Sequence, residues 1–267
     1  MTEVASVTTA TGAAVWDRLW RYQPSDRRDD ALIAREQRSP RWALIVARLE
    51  ETFGSLEGLR TIELGSGRGD LSALLARHGA DVTLLDASAR ALDQARCRFE
   101  RLGLAARYVQ ADFLDPFDGG SARFDVSLSS GVIEHFRGND RTRTVRAHLE
   151  VLRPGGMAII SVPNARCLPY RLWKCYLEFR GWWPYGMEIP YTASELRQRA
   201  HRAGFIRAEA HCVGFWQSVG DHWGRSLMGR GPDWVGKPSR LDSLMGMTLL
   251  TFAWRGEVAR PSTSSKE

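Results

Sequence analysis

The stretch TIELGSGRGD at residues 61–70 constrains the fold more than any other part of the chain. An apolar run carries an acid, Glu63, and then glycines occupy alternate positions before Asp70. Glycine permits a tight turn and lets a ligand approach the backbone closely. The stretch therefore predicts a ligand-binding turn between a strand and a helix.

Strand and helix patterns alternate on both sides of this turn. Strands are predicted at 59–64, 81–87, 106–113, 124–130 and 157–163, and helices at 70–80, 89–103 and 139–156. Such alternation predicts an α/β fold, Rossmann-like and doubly wound, with helices on both faces of the sheet. Ligands of such sheets bind beyond the carboxyl ends of the strands, where the strand order reverses.

Three regions flank or interrupt this pattern. Residues 1–53 are predicted to form an N-terminal helical cap, with Ser39 at an N-cap and Pro40 at the first helical position. Residues 54–255 form the main domain, and an aromatic-rich insertion at 165–191 breaks its rhythm. A helix at 192–205 and two final strands near 206–215 and 247–254 follow, and 256–267 is predicted to be a disordered tail.

Composition narrows the class of protein. No apolar run reaches about 18 residues, so no membrane span is expected, and the N-terminus lacks a signal-peptide pattern. The four cysteines show no zinc spacing, which favours reduced thiols in the cytoplasm. The net charge of +6 comes almost entirely from arginines interspersed with acids. This pattern favours a charged surface over a nucleic-acid footprint, and a homodimer is compatible with it.

The acids around the glycine turn indicate the charge of the ligand that the turn binds. Glu63 and Asp70 add negative charge where a dinucleotide phosphate would be repelled, and the G-x-G-x-G spacing differs from G-x-G-x-x-G. A ligand that is cationic here fits better, and S-adenosyl-L-methionine is one. A nicotinamide or nucleotide-sugar Rossmann domain remains the alternative.

Residues 61–164 together resemble the class I S-adenosylmethionine-dependent methyltransferase family, through ELGSGRGD, VTLLDAS, YVQADF, FDVSLSSGVIEHF and LRPGGMAIISVPN. The resemblance implies a seven-stranded mixed sheet whose last strand is antiparallel. It also implies that Asp86 binds the ribose hydroxyls, that Asp112 accepts the adenine amino group and that Phe113 covers the ring. The remaining cofactor-binding positions that it implies are Glu63, Gly65, Ser66, Gly67, Gly69, Ala87 and Ser130.

Two histidines are candidate catalytic residues. His135, in GVIEHF, falls at the mouth of the fourth strand and is a candidate general base, although packing beside the cofactor would also explain it. His222 is the second candidate, with an ordinary surface histidine as the alternative. The motifs of adenine, cytosine and protein arginine methylation are missing, and no Asp/Asn cluster suits magnesium. A metal-free enzyme acting on a small molecule is therefore predicted.

The insertion carries four of the six tyrosines and stands beyond the fifth strand. It is predicted either to form a lid over an acceptor or to be a structural cap that packs on itself. The candidate substrate residues are Trp20, Tyr22, Tyr185, Glu188 and Tyr191. A membrane-surface role for YRLWKCYLEFR stays open.

The sequence thus predicts an enzyme that methylates O or N of a small organic molecule by in-line displacement. RNA methylation, suggested by the basic charge alone, and a catalytically silent cofactor-binding module are the alternatives.

Overall fold

A computed structural model describes residues 16, 20–21, 26–115, 123–220 and 237–256. Its centre is a seven-stranded sheet in the order β3-β2-β1-β4-β5-β7-β6. The strands are β1 (Arg60–Leu64), β2 (Asp81–Asp86), β3 (Arg107–Gln110), β4 (Phe124–Ser130), β5 (Leu152–Pro163), β6 (Arg207–Val213) and β7 (Thr248–Trp254). The first five strands pair in parallel, and β7 is antiparallel to both β5 and β6. The predicted doubly wound mixed sheet is confirmed.

Helices cover both faces of this sheet. They are α1 (Asp26–Gln37), α2 (Pro40–Phe53), α3 (Asp70–Arg77), α4 (Ala89–Arg101), α5 (Asp140–Val151), α6 (Leu168–Phe179), α7 (Ala193–Ala203), α8 (Phe215–Val219) and α9 (Asp242–Met245). Three of them begin at side-chain caps, because the hydroxyls of Ser39, Ser88 and Thr192 accept backbone N–H groups of the first turn. The cap at Ser39 is the one given in the sequence analysis, and the other two helices start within one residue of the predicted positions 89 and 192.

The Pro-Gly-Gly segment belongs to a strand rather than to a helix end. The sequence predicts a helix to 156, but α5 ends at Val151 and β5 begins at Leu152. The pairing of β4 with β5 shifts register between Phe124 and Val126 to accommodate it. A Cβ at Gly156 would lie 3.0 Å from the Asp125 carbonyl oxygen, so glycine lets the two backbones approach.

The N-terminal helices share the core of the sheet domain. Ile33 of α1 and Ile45 and Leu49 of α2 are buried in one cluster with Val82 and Leu84 of β2. A boundary between a cap and a main domain at residue 53 stays a prediction. Within the described residues, no helix is both long and apolar enough to cross a bilayer.

Candidate active site

A cavity of about 560 Å³ opens at the carboxyl ends of β1, β2 and β4. The strand order reverses here, since β1 lies between β2 and β4. Both α2 and the loop after α6 contribute to its wall. Of the residues predicted from sequence, those that line it are Trp20, Glu63, Gly65, Ser66, Gly67, Asp86, Ala87, Asp112, Phe113, Ser130, His135 and Tyr185.

The glycine turn predicted from sequence has a left-handed backbone at all three glycines. Gly65, Gly67 and Gly69 have φ of 67°, 53° and 69°. A Cβ on Gly65 would lie 2.8 Å from Val132, and one on Gly69 would lie 2.6 Å from Leu84. Gly69 lies outside the cavity lining, and its contact with Leu84 lets α3 pack closely on the sheet. The turn therefore needs glycine both for conformation and for space.

Asp86 ties the glycine turn to the end of β2. Its Oδ2 accepts the Gly67 N–H at 2.8 Å, and its Oδ1 accepts the Ser88 N–H at 2.8 Å. The side chain lines the cavity although the residue is only 8% exposed. A carboxylate oxygen can accept more than one hydrogen bond, so a carboxylate that lines the cavity suits a ligand with hydroxyl donors.

Glu63 is a buried acid that lines the cavity. Its Oε2 accepts the Ser72 hydroxyl at 2.6 Å. Burial raises the pKa of Glu63 to about 8, the hydrogen bond from Ser72 opposes this rise, and nearby Asp70 adds to it. A cationic group of a ligand would favour the ionised form of this carboxyl.

Arg41 of α2 brings a cation into the same cavity. Its Nη1 donates to Ser130 Oγ at 2.8 Å and to Ser161 Oγ at 3.1 Å. Its Nη2 pairs with Glu36 at 2.7 Å, which holds the guanidinium in place. Arg41 could not be singled out from sequence, because α2 reads as an ordinary charged amphipathic helix. An anionic ligand group would find its counter-charge here.

Asp112 and Phe113 follow β3 on the opposite side of the cavity. The strand ends at Gln110, three residues before the predicted end, so both residues belong to a turn. Asp112 Oδ1 accepts the Leu114 N–H at 2.9 Å, and Phe113 packs edge-on against Phe136 with ring centroids 5.9 Å apart. The pair forms an acceptor beside an aromatic wall, which suits a heteroaromatic ring with an amino group.

His135 lies at the base of the cavity in a defined tautomer. Its Nδ1 lies 2.7 Å from the Met187 carbonyl oxygen, which can only accept, so Nδ1 carries the proton. Burial lowers the pKa of His135, and the Met187 contact partly opposes that change. A neutral ring protonated at Nδ1 has its lone pair on Nε2, as a general base requires.

A cluster of ionisable groups surrounds His135. Ligand atoms of Glu134, His135 and Glu188 all lie within 4.8 Å of one another. Burial raises the pKa of Glu134 to about 8 and that of Glu188 to about 7. Glu134 Oε2 is buried and has no hydrogen-bond partner among the described residues, whereas Glu188 accepts the Tyr170 hydroxyl. This cluster could not be predicted from sequence, because only the path of the insertion brings Glu188 to the fourth-strand motif.

Other predicted residues lie elsewhere. Tyr191 is fully buried in the core; its ring packs under the Arg141 guanidinium at 3.5 Å, and its hydroxyl donates to the Ile133 carbonyl at 3.3 Å. This position does not fit the predicted contact with an acceptor, because core packing surrounds the ring. Tyr22 and His222 lie outside the described residues, so their predicted roles stay predictions.

Two tryptophans cover the cavity from the N-terminal side. Trp16 packs edge-on against His135 with ring centroids 4.8 Å apart. The Trp20 ring lies 2.8 Å from the position that a Cβ of Gly67 would occupy. The Trp20 N–H donates to the Trp16 carbonyl at 2.9 Å, in agreement with the helical spacing of the pair. Trp20, which the sequence predicts to bind the substrate, therefore lies against the glycine turn as well.

Comparisons with known proteins fit this geometry. A family profile described as "Methyltransferase domain" matches residues 62–156. The chain is similar to the ubiquinone biosynthesis O-methyltransferase of Paramagnetospirillum magneticum, with 32% identity over 67% of this chain and 70% of that protein. The protein of the same name from Cereibacter sphaeroides is 39% identical over 108 residues, which are 40% of this chain and 42% of that protein.

The overall fold has solved counterparts. One is the magnesium protoporphyrin IX methyltransferase of Synechocystis, crystallised with S-adenosylhomocysteine (SAH). Its superposition on this chain has a TM-score of 0.55 and 18% sequence identity, and it covers 93% of this chain and 95% of that one. At this identity the likeness shows the fold alone. The sequence match covers 42% of the length of the Cereibacter sphaeroides protein and 70% of the length of the Paramagnetospirillum magneticum protein.

Proposed function

Since this chain belongs to the class I S-adenosylmethionine-dependent methyltransferases, we propose that it transfers a methyl group to a hydroxyl oxygen of a small aromatic acceptor. The observation that carries this proposal is the His135 imidazole, whose Nδ1 bond to Met187 leaves Nε2 as the basic atom in the cavity of the glycine turn. A hydroxyl nucleophile benefits from such a base, whereas a neutral amine does not need one.

The residues of the cavity fit the cofactor group by group. The turn at Gly65 and Gly67 gives a backbone surface without side chains, and the Ser66 hydroxyl is buried with no partner among the described residues. We assign the methionyl ammonium to Glu63 and the methionyl carboxylate to Arg41, since each matches the charge of its partner. The ribose hydroxyls are assigned to Asp86, as the family resemblance implies.

The adenine end has its own pair of residues. Asp112 offers an acceptor to the amino group, and Phe113 with Phe136 offers an aromatic wall. When bound, S-adenosylmethionine supplies an electrophilic methyl group on a sulfonium. The protein supplies alignment and exclusion of water, which account for much of the catalysis of such displacements.

The proton of the acceptor needs a destination. In such a displacement the acceptor oxygen would gain the methyl group and the sulfur would keep the electron pair of the carbon–sulfur bond, so the hydroxyl proton would have to leave. Nε2 of His135 takes the hydroxyl proton, and Met187 stabilises the resulting imidazolium through Nδ1–H. The lowered pKa of His135 keeps the base neutral near pH 7.

The aromatic acceptor is inferred from two sources. Trp16, Trp20 and Tyr185 surround the cavity with flat apolar side chains, which suit a planar ring. The curated relatives are named for O-methylation in ubiquinone biosynthesis, which points to oxygen rather than nitrogen. Glu188, through the Tyr170 hydroxyl, is held beside His135 and is assigned to the polar end of the acceptor site.

The test is turnover of a panel of phenols, catechols, primary amines and a structured RNA, with S-adenosylhomocysteine release as the readout. We expect turnover of hydroxylated aromatics and none of amines or RNA. Turnover of amines alone, unaffected by His135→Gln, would refute the oxygen assignment. Turnover of RNA would favour the RNA alternative, and cofactor binding without turnover of any acceptor would favour a silent module.

A further inference from the structure

Helix α6 presents an apolar stripe to solvent instead of to the protein. Leu168, Leu172, Tyr176 and Phe179 are 59%, 61%, 42% and 89% exposed. Their spacing of four, four and three residues places them along one side of the helix. Tyr170, on the other side of α6, is buried.

The loop after α6 extends this apolar surface. Trp182 is 57% exposed and packs against Tyr176 of the stripe with ring centroids 6.4 Å apart. Tyr185, three residues later, is 50% exposed and contacts Trp183. With the four residues of the α6 stripe, Trp182 and Tyr185 define what we call the lid face. Exposed apolar side chains that are contiguous, rather than scattered, mark an interaction surface.

Cations surround the lid face. Arg166, Arg171 and Arg180 are exposed, and among the described residues none of them forms an ion pair. The one acid of α6, Glu178, already pairs with Lys174. The Arg180 guanidinium lies 4.1 Å above the Trp182 ring, so a charged group and an aromatic ring share one edge of the face. Aromatic and aliphatic residues with a basic rim suit the boundary between lipid headgroups and acyl chains.

We propose that the lid face docks on an anionic lipid bilayer, with the apolar stripe of α6 in the interface and the three arginines on lipid phosphates. The charge of the rim favours lipid over a second copy of this chain, since two copies of the face would bring like charges together. The helix has 12 residues and lies on the surface rather than across the bilayer.

The lid face also adjoins the mouth of the cavity. Pro184 and Tyr185 line the cavity, and Tyr185 is half exposed on the lid face. If the proposed function holds, an aromatic acceptor with an apolar tail could pass from the bilayer to His135 beside Tyr185. The docking itself does not depend on methyl transfer.

The experiment is co-sedimentation of the full chain with vesicles of phosphatidylcholine alone or with about one third phosphatidylglycerol. We expect binding to the anionic vesicles that weakens on raising NaCl from about 50 to about 500 mM. Leu172→Glu and Phe179→Ser should each lower the partition coefficient at least about tenfold, through loss of buried apolar area. Circular dichroism checks that each variant is folded.

Ile206→Ser is the matched control, because Ile206 is 70% exposed and lies just before β6, at the opposite end of the strands from the carboxyl end of β5, after which α6 follows. It should bind vesicles as the wild type does, and so should His135→Gln, which separates docking from catalysis. Three results would overturn the proposal: no binding to anionic vesicles, equal loss in the Ile206 control, or a dimer in solution that Phe179→Ser dissociates.

Discussion

Replacing Asp86 with Asn tests the site at its most connected residue. The carboxylate accepts the N–H groups of Gly67 and Ser88, both at 2.8 Å, and the residue is buried. An amide keeps the shape but has only one acceptor atom, so one of the two N–H groups would face an NH₂ group.

The expected cost follows from that geometry. Loss of a hydrogen bond to a buried charged acceptor costs about 2 kcal/mol, since the remaining donor is left unsatisfied. For a domain of this size the melting temperature should fall by about 4–8 °C. If the carboxylate also holds the ribose, the Kd for S-adenosylhomocysteine should rise by about 10- to 100-fold.

Thermal melts followed by circular dichroism and isothermal titration with S-adenosylhomocysteine measure the two effects separately. Asp112→Asn is the control, because Asp112 is exposed and its single bond to Leu114 needs only one oxygen. Its melting temperature should change by less than about 2 °C. Wild-type melting and wild-type affinity in Asp86→Asn would refute both roles of the carboxylate.

Three further predictions concern ionisable groups of the site. Glu63 must lose its proton to bind an ammonium group. Its pKa of about 8 therefore predicts that the affinity for S-adenosylhomocysteine rises about 50-fold from pH 6 to pH 8. Titrations at each pH should show that Glu63→Gln abolishes this pH dependence. In melts of the ligand-free protein, stability should fall from pH 4.5 to 8 relative to Glu63→Gln, since a raised acid pKa favours the protonated folded state. His135→Gln should lower kcat about 10²- to 10⁴-fold and remove the acidic limb of the pH–rate profile, which lies below pH 6.5; an unchanged profile would exclude the base. If the predicted metal-free site is correct, EDTA should change the turnover rate by less than about twofold. A loss of turnover that Mg²⁺ restores, with a weaker restoration in Glu188→Gln, would instead assign a cation to the cluster of Glu134, His135 and Glu188.

The parts of the site that follow the chain locally could be predicted from sequence. The glycine turn, Asp86 and the Asp112–Phe113 pair each lie at the end of a strand whose apolar pattern is readable. Parallel strands bring their carboxyl ends together, so their order alone predicts one shared site. The same logic predicts the caps at Ser39, Ser88 and Thr192, because a cap depends on residues within one turn.

The parts that depend on distant segments could not be predicted. Arg41 belongs to α2, and its bonds to Ser130 and Ser161 span 89 and 120 residues. Nothing in the local pattern distinguishes it from arginines that face solvent. Likewise, the carbonyl of Met187 fixes the tautomer of His135 from 52 residues away. Such contacts depend on the path of the insertion, which periodicity does not encode.

Tyr191 and Tyr185 show why aromatic composition alone could not assign the insertion. Both are tyrosines six residues apart, yet one is fully buried under Arg141 and the other is half exposed at the cavity mouth. The insertion therefore acts both as a packed cap, through Tyr191 and Tyr170, and as a wall of the cavity, through Tyr185. On the inner side of α6, the buried Tyr170 donates a hydrogen bond to Glu188 beside His135. The apolar stripe of α6 therefore faces outward. A helix that only capped the protein would bury that stripe, so its exposure indicates that α6 has a second contact to make.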